Sequence, residues 1–221
     1  DEMMGHQYGN TQLRINATGN LLDKEFKYLK HDWRNPSKQN NKIKAFGMRD
    51  EYKTDTAGII DYTSNAYGVA YVHEDEKVKM GNSSGWYAGA VTNRFKFKDI
   101  GHSREDQTMV KLGIFKTMSP KKDYNGSLTW KIAGEAFAGR GDMKRRYWIV
   151  DEVFEAKGKY TTYGIALKNE IGKEFRTSEN TSIRPYGALN LEYGKYSDFR
   201  ETGPMALKVK GNDYFSVKPE A

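Results

Sequence analysis

The chain has 221 residues, with 36 Lys and Arg against 29 Asp and Glu for a net charge of +7, and no cysteine. That length can bury a real core in one large β domain or two small ones, while the absence of thiols excludes disulfides, Cys-based zinc sites and thiol nucleophiles. Mean hydropathy is −0.85 and no apolar run approaches the roughly 18 residues of a transmembrane helix, but a β-barrel, in which only alternate residues meet lipid, keeps a polar average.

The opening DEMMGHQYGN lacks the basic and apolar regions of a signal peptide, which reads as a chain that starts mid-protein or as a cytosolic product. From Asn20, NLLDKEFKYLKHDW places Leu22, Phe26, Leu29 and Trp33 on one stripe and predicts a helix over 20–33. Asn20 stands as its N-cap, Asp23 and Glu25 give it charge, and Pro36 ends it. Gly19 interrupts an extension back towards Thr11. Residues 1–40 are therefore read as linker and amphipathic helix, and 41–221 as a β domain.

After Lys42 the pattern turns to period two. Strands are predicted near 43–54, 65–76, 85–98, 106–118, 127–139, 157–172, 181–195 and 212–220, separated by turn-rich stretches such as KMGNSSG and SPKKDYNG. Their length, about a dozen residues, exceeds the usual five or six. Val110, Leu112 and Ile114 oppose Lys111 and Gly113; Leu128, Trp130 and Ile132 oppose Thr129, Lys131 and Glu135. Tyr163, Ile165, Leu167 and Ile171 oppose Gly164, Lys168 and Glu170. The first strand, IKAFGMRDEYKT, alternates poorly. Two connectors, 140–156 and 196–210, read as long loops, and long antiparallel strands in series signal an up-and-down barrel or meander.

Which face is inside decides the class. In a soluble barrel or sandwich that binds a ligand or surface partner, the apolar face is the core; in a membrane barrel it meets lipid and the polar face lines a wet lumen. Strand length, tyrosines near strand ends such as Tyr67, Tyr71, Tyr163, Tyr186 and Tyr193, and Gly and Ala among the charges favour the membrane barrel. In GWYAGAVTNRFKFKD at 85–99, this reading turns Tyr87, Val91, Phe95 and Phe97 outward. It makes Arg94, Lys96, Lys98, Lys111, Lys131, Lys168 and Glu170 the candidate lumen residues. Leu22, Asp23, Glu25, Phe26, Leu29 and Trp33 then belong to a plug helix lying against that wall.

Catalytic and cofactor motifs are missing. His6, His31, His73 and His102 have no metal-ligand spacing, and no GxSxG or P-loop occurs. HEDE at 73–76 reads as a solvated strand end, and Arg140-Gly141-Asp142 as a chance RGD. Aromatics and lysines alternate by face rather than sharing one, which disfavours nucleic acid. The expectation is a non-enzyme without cofactor or metal.

TAGIIDYTSNAYGVAYVHEDE, followed by GWYAGAVTNRFKFKD, resembles the C-terminal β-barrel translocator domain of bacterial autotransporters, the type V secretion family. IRPYGALNLEYGKY and ALKVKGNDYFSVKPEA are similar to its later strands, and RINATGNLLDKEFKYL sits where that family has its pore-threading helix. The resemblance implies an all-β, twelve-stranded, monomeric barrel in outer-membrane lipid, built by the barrel-assembly machinery and joined through the helix to its own exported passenger. It also raises self-cleavage at Asn16 or Asn20, although neither carries a matching motif and a helix cap accounts better for Asn20. About eight strands are present, and the chain stops at 217–221 without the family's terminal aromatic residue, so the last strands are expected to be lacking.

Overall fold

The computed structural model describes residues 11–31, 41–53, 60–77, 82–99, 102–123, 126–149, 152–173, 175–178, 181–183, 185–203, 207–209 and 211–220. Helix α1 (Thr11–His31) precedes β1 (Asn41–Tyr52), β2 (Tyr62–Lys77), β3 (Asn82–Phe97), β4 (Arg104–Asp123), β5 (Gly126–Ile149) and β6 (Glu152–Lys173). A small hairpin of β7 (Phe175–Ser178) and β8 (Thr181–Ile183) leads to β9 (Tyr186–Tyr196), a second of β10 (Phe199–Arg200) and β11 (Lys208–Val209) to β12 (Asn212–Glu220). Strands β1 to β6, β9 and β12 pair antiparallel in that order as one eight-stranded sheet, with β1 and β12 its edges among the described residues. Strands β2, β3, β4, β5, β6, β9 and β12 all contribute to one cavity beside α1, so the sheet curls around the helix.

The eight strands of this sheet coincide with the eight predicted from period two. Two boundaries are corrected. The segment 140–156 is not a loop: β5 continues to Ile149 and β6 begins at Glu152, paired rung by rung from Arg140↔Thr161 to Ile149↔Glu152. Its charges obscured an unbroken alternation. The strand predicted from 181 begins at Tyr186, because Pro185 has no N–H for the ladder and only its carbonyl is used, by the Lys173 N–H at 3.1 Å.

The helix starts nine residues before the predicted position, and Asn20 is a mid-helix residue rather than a cap. Thr11, Arg14, Ile15, Thr18, Leu22, Phe26 and Leu29 form one buried stripe at helical spacing. Its first half is polar, so an apolar pattern cannot reveal it. Gly19 is part of the helix because that side approaches the wall closely: a Cβ there would lie 3.2 Å from Met109 Sδ. Trp33 and Pro36 lie outside the described residues.

The face assignment on β3 is also corrected. Tyr87, Val91, Phe95 and Phe97 are buried and point inward, whereas Arg94, Lys96 and Lys98 lie on the exposed outer face. Below them the same outer face carries Trp86, Ala88, Ala90 and Thr92. The strand outgrows the roughly 9–11 residues that would span a bilayer, and its outer face is apolar over only part of that length. Poorly alternating β1 resolves too: Ile43 points outward at 72% exposure and Lys44 inward to Glu25 at 2.8 Å.

The helix is seated on Gly89 of β3. A Cβ at Gly89 would stand 2.8 Å from Phe26 Cζ, 2.9 Å from Leu22 Cδ2 and 2.9 Å from the Val69 carbonyl oxygen, inside the contact distance of any of them. We expect Gly89→Val, despite its better strand propensity, to cost about 1–3 kcal/mol by overpacking. Ala88→Val on the outer face of the same strand should be near neutral. Thermal unfolding in detergent, followed by loss of the compact form on gels, separates the two.

Candidate functional site

The inner face of β4 supplies the first half of the site. Its residues advance two at a time through Glu105, Gln107, Met109 and Lys111, all buried, because successive strand residues alternate faces. Helix α1 brings Arg14 against this row: its guanidinium donates to Glu105 Oε2 at 2.9 Å, and both side chains are 0% exposed. The Tyr160 hydroxyl of β6 donates to Glu105 Oε1 at 2.6 Å and accepts from Gln107 Nε2 at 2.8 Å. Gln107 accepts from the Thr18 hydroxyl, which accepts from Asn93 Nδ2 at 3.3 Å. Phe97 stacks beneath Arg14, 4.9 Å from ring centroid to guanidinium carbon. A charge buried this deeply is tolerable only with such partners.

A second cluster lies about two and a half turns further along the helix, since Asp23 follows Arg14 by nine residues at about 3.6 per turn. Asp23 accepts from Lys111 Nζ at 3.0 Å and pairs with Lys168 Nζ at 3.2 Å. The same two lysines face Glu135 at 3.4 Å each, and Tyr87 donates to Glu135 at 3.1 Å. Two anions and two cations from α1, β4, β5 and β6 thus balance one another. Nearer the helix end, Glu25 meets Lys44, whose ammonium lies 4.4 Å from the Tyr28 ring centroid.

Beside the helix remains a cavity of about 900 Å³, with Lys131, Glu170, Asn190, Glu192 and Ser216 on its wall. Away from this cavity, at the end where β5 meets β6, the chain folds inward again. Arg145 Nε contacts both Glu201 oxygens at 3.2 and 3.1 Å, and both side chains are fully buried. Glu201 also accepts the Leu207 N–H at 2.9 Å, and Lys157 exchanges two main-chain bonds with Thr202 at 2.9 and 2.7 Å. The β10–β11 connector is thereby fastened to the wall.

The outer face is the reverse of a soluble surface. Val110, Leu112 and Ile114 on β4 are 52%, 57% and 69% exposed, and Tyr163, Ile165 and Leu167 on β6 continue the band. Trp86, Trp130, Tyr67 and Tyr193 are exposed with them. A continuous apolar belt of this kind marks a surface that meets lipid or a partner. No described helix is long and apolar enough to cross a membrane, which says nothing of strands.

A family model for the autotransporter β-domain matches residues 43–221. The chain belongs to this family. Its place is therefore the bacterial outer membrane, its system type V secretion, and the family is a transport domain attached to a passenger rather than a catalytic one. Among solved structures the autotransporter β-domain is similar to the translocator domain of autotransporter NalP from Neisseria meningitidis, with a TM-score of 0.60 and 11% identity. That match covers 95% of this chain and 68% of that one; at such identity it speaks for the fold. Comparison with curated proteins found no match.

Of the residues singled out in the sequence, the structure brings Asp23, Lys111 and Lys168 together, and sets Lys131 and Glu170 on the cavity wall. Leu22, Phe26 and Leu29 pack on the sheet and Glu25 pairs with Lys44. Arg94, Lys96 and Lys98 are elsewhere, on the outer surface, where Arg94 meets Asp106 at 2.8 Å and Lys98 meets Glu51. The hydrogen bond from Lys98, with Lys53 nearby, holds the Glu51 carboxyl below its ordinary range. Asn20 is exposed on α1, and Asn16 bonds Gln12 at 2.8 Å. Arg140 and Asp142 pair along one face of β5 at 3.4 Å, and no group of three metal-ligating side chains occurs among the described residues.

Sequence reasoning missed Arg14, Glu105, Gln107, Tyr160, Arg145 and Glu201. For β4 a signal existed: the row of Lys111 and Gly113 runs back in steps of two through Met109 and Gln107 to Glu105. Nothing local marks Arg14 or Glu201, whose partners lie 91 and 56 residues away. Removing one member of the inner pair should be worse than removing both. Arg14→Met or Glu105→Leu alone should cost about 3–5 kcal/mol, and the double variant should recover much of that loss, read from urea unfolding in detergent.

Proposed function

We propose that residues 41–221 form the membrane-anchored wall of a translocator, and that α1 is the lumenal stalk through which an N-terminally attached passenger is held and exported. The carrying observation is the combination of an outward apolar belt with a helix held inside by buried ion pairs, an arrangement that supports a protein with lipid outside and polar contacts within. The N-terminal half of α1 lies towards the end where β3 meets β4, as Arg14 against Phe97 indicates. A passenger preceding α1 leaves at that end, which we assign to the cell surface.

In this reading Lys111, Lys131, Lys168 and Glu170 line the lumen, and Leu22, Asp23, Glu25, Phe26 and Leu29 form the plug contacts. The passenger crosses before the helix settles against that wall. The domain works as a monomer assembled by the barrel-assembly machinery, and its charged interior serves seating rather than chemistry. Exchanging Lys111 and Lys168 together for Glu sets four acids against one another, including Asp23 and Glu135. Surface display of the passenger, scored by protease accessibility on intact cells, should fall at least about tenfold, a loss of order 1.4 kcal/mol in seating. Undiminished display with the barrel present in the outer membrane overturns the seating role. A chain that stays soluble without detergent and shows no heat-modifiable mobility overturns the translocator reading itself.

A further inference from the structure

On the outer surface, above the apolar belt, the sheet register assembles an arrangement that the translocator role leaves unused. Lys96 of β3 stands opposite Arg104 of β4, Arg104 opposite Lys144 of β5, and Lys144 opposite Lys157 of β6. All four project from the outer face. With strands spaced about 4.8 Å apart, they form one row about 14 Å long. Like charges placed directly opposite destabilise a sheet, and four in succession cannot be accounted for by packing.

Neighbouring acids offset part of this charge. Arg104 reaches Asp106 only at 4.0 Å, and that carboxylate already holds Arg94 at 2.8 Å; Lys157 lies 3.6 Å from Glu155, which also takes Arg146 at 3.2 Å. Lys96 and Lys144 have no carboxylate within 4 Å among the described residues. The row is continuous with the lipid surface. Six residues back along the same strands, Ala90, Val110, Ala138 and Tyr163 form a wholly apolar row in the same register. Six residues are about 20 Å of strand, or about 15 Å of height at the tilt of a membrane barrel. The cations therefore stand at the depth of lipid headgroups, facing sideways into them.

We propose that the row formed by Lys96, Arg104, Lys144 and Lys157 binds the phosphate groups of lipopolysaccharide, the phosphorylated glycolipid of the outer leaflet. This rests on the orientation given under the proposed function, which turns that end of the sheet to the cell surface. Two observations choose the occupant: charge complementarity to an anion carrying several phosphates, and continuity with the belt that holds the acyl chains. Guanidinium and ammonium groups side by side suit phosphate, the one as a fork and the other as a point charge.

The test uses the full chain in detergent micelles, titrated with lipopolysaccharide, with the same material after enzymatic dephosphorylation, and with phosphatidylglycerol vesicles. Lys96→Gln with Lys144→Gln should weaken binding to lipopolysaccharide about 30-fold, and dephosphorylation should weaken wild-type binding comparably. A matched pair on the helix, Lys24→Gln with Lys27→Gln, should leave it unchanged. The outer double variant should unfold no earlier than wild type, since it relieves repulsion. Equal wild-type affinity for the two glycolipid preparations, unchanged affinity in the outer variant, or equally tight binding of phosphatidylglycerol would each overturn the proposal. Heat-modifiable mobility is scored on the same samples: retained without a phosphate effect, it leaves the translocator reading standing and removes this one; its absence removes both.

Discussion

A fully buried arginine governs this fold. Arg14 lies on α1, outside the hydrogen-bonded sheet, and its guanidinium is sealed from water against Glu105. Separating the two would strand a charge on each side, so the helix has one depth at which it is comfortable. Tyr160 and Gln107 complete the site from β6 and β4, which means that three elements must be in register before the charge is satisfied. The pair is a stronger statement about position than about net stability, because desolvation offsets much of its attraction.

Once that depth is set, the remaining contacts follow from helical spacing. Leu22 and Phe26 arrive at Gly89, and Asp23, on the adjoining side, arrives between Lys111 and Lys168. The interior is thus neither a greasy core nor an open channel. Apolar residues fill it where the helix presses, balanced charges fill it where the helix turns its polar side, and a cavity remains along β9 and β12. The outer face obeys a different rule again, apolar across the belt and strongly charged above it.

That division explains which parts of the molecule could be read from the chain. Strand positions were legible because period two persists through most of the sheet, β1 apart; the charges of 140–156 and Pro185 disguised where strands run or begin. Assigning faces was harder. On β4, Lys111 opposes Val110 and Leu112 at belt depth, where the lipid rule turns the charge inward, and its side chain is buried beside Asp23. On β3 the lysines at 96 and 98 lie beyond the belt, where the outer face is as polar as any surface, while Phe95 and Phe97 fill the rim of the interior around Tyr62 and Met143. The same lipid rule applied there inverts the answer. The first half of α1 was hidden for a related reason: Arg14 and Thr18 occupy buried positions, and their partners Glu105 and Gln107 are distant in the chain.

The seat of Phe26 and Leu22 on Gly89 has a mechanical meaning. A glycine beneath an aromatic ring is a notch with raised sides, formed by neighbouring strands whose backbones cannot give way. Tension applied along the helix by anything attached to its N-terminus is resisted as shear at that notch, and is spread through β2, β3 and β4 by their hydrogen-bond ladders. Those ladders are loaded across many bonds at once, the geometry in which a sheet is strongest. The hold on anything joined to the start of α1 therefore depends on one missing side chain as much as on any attractive contact.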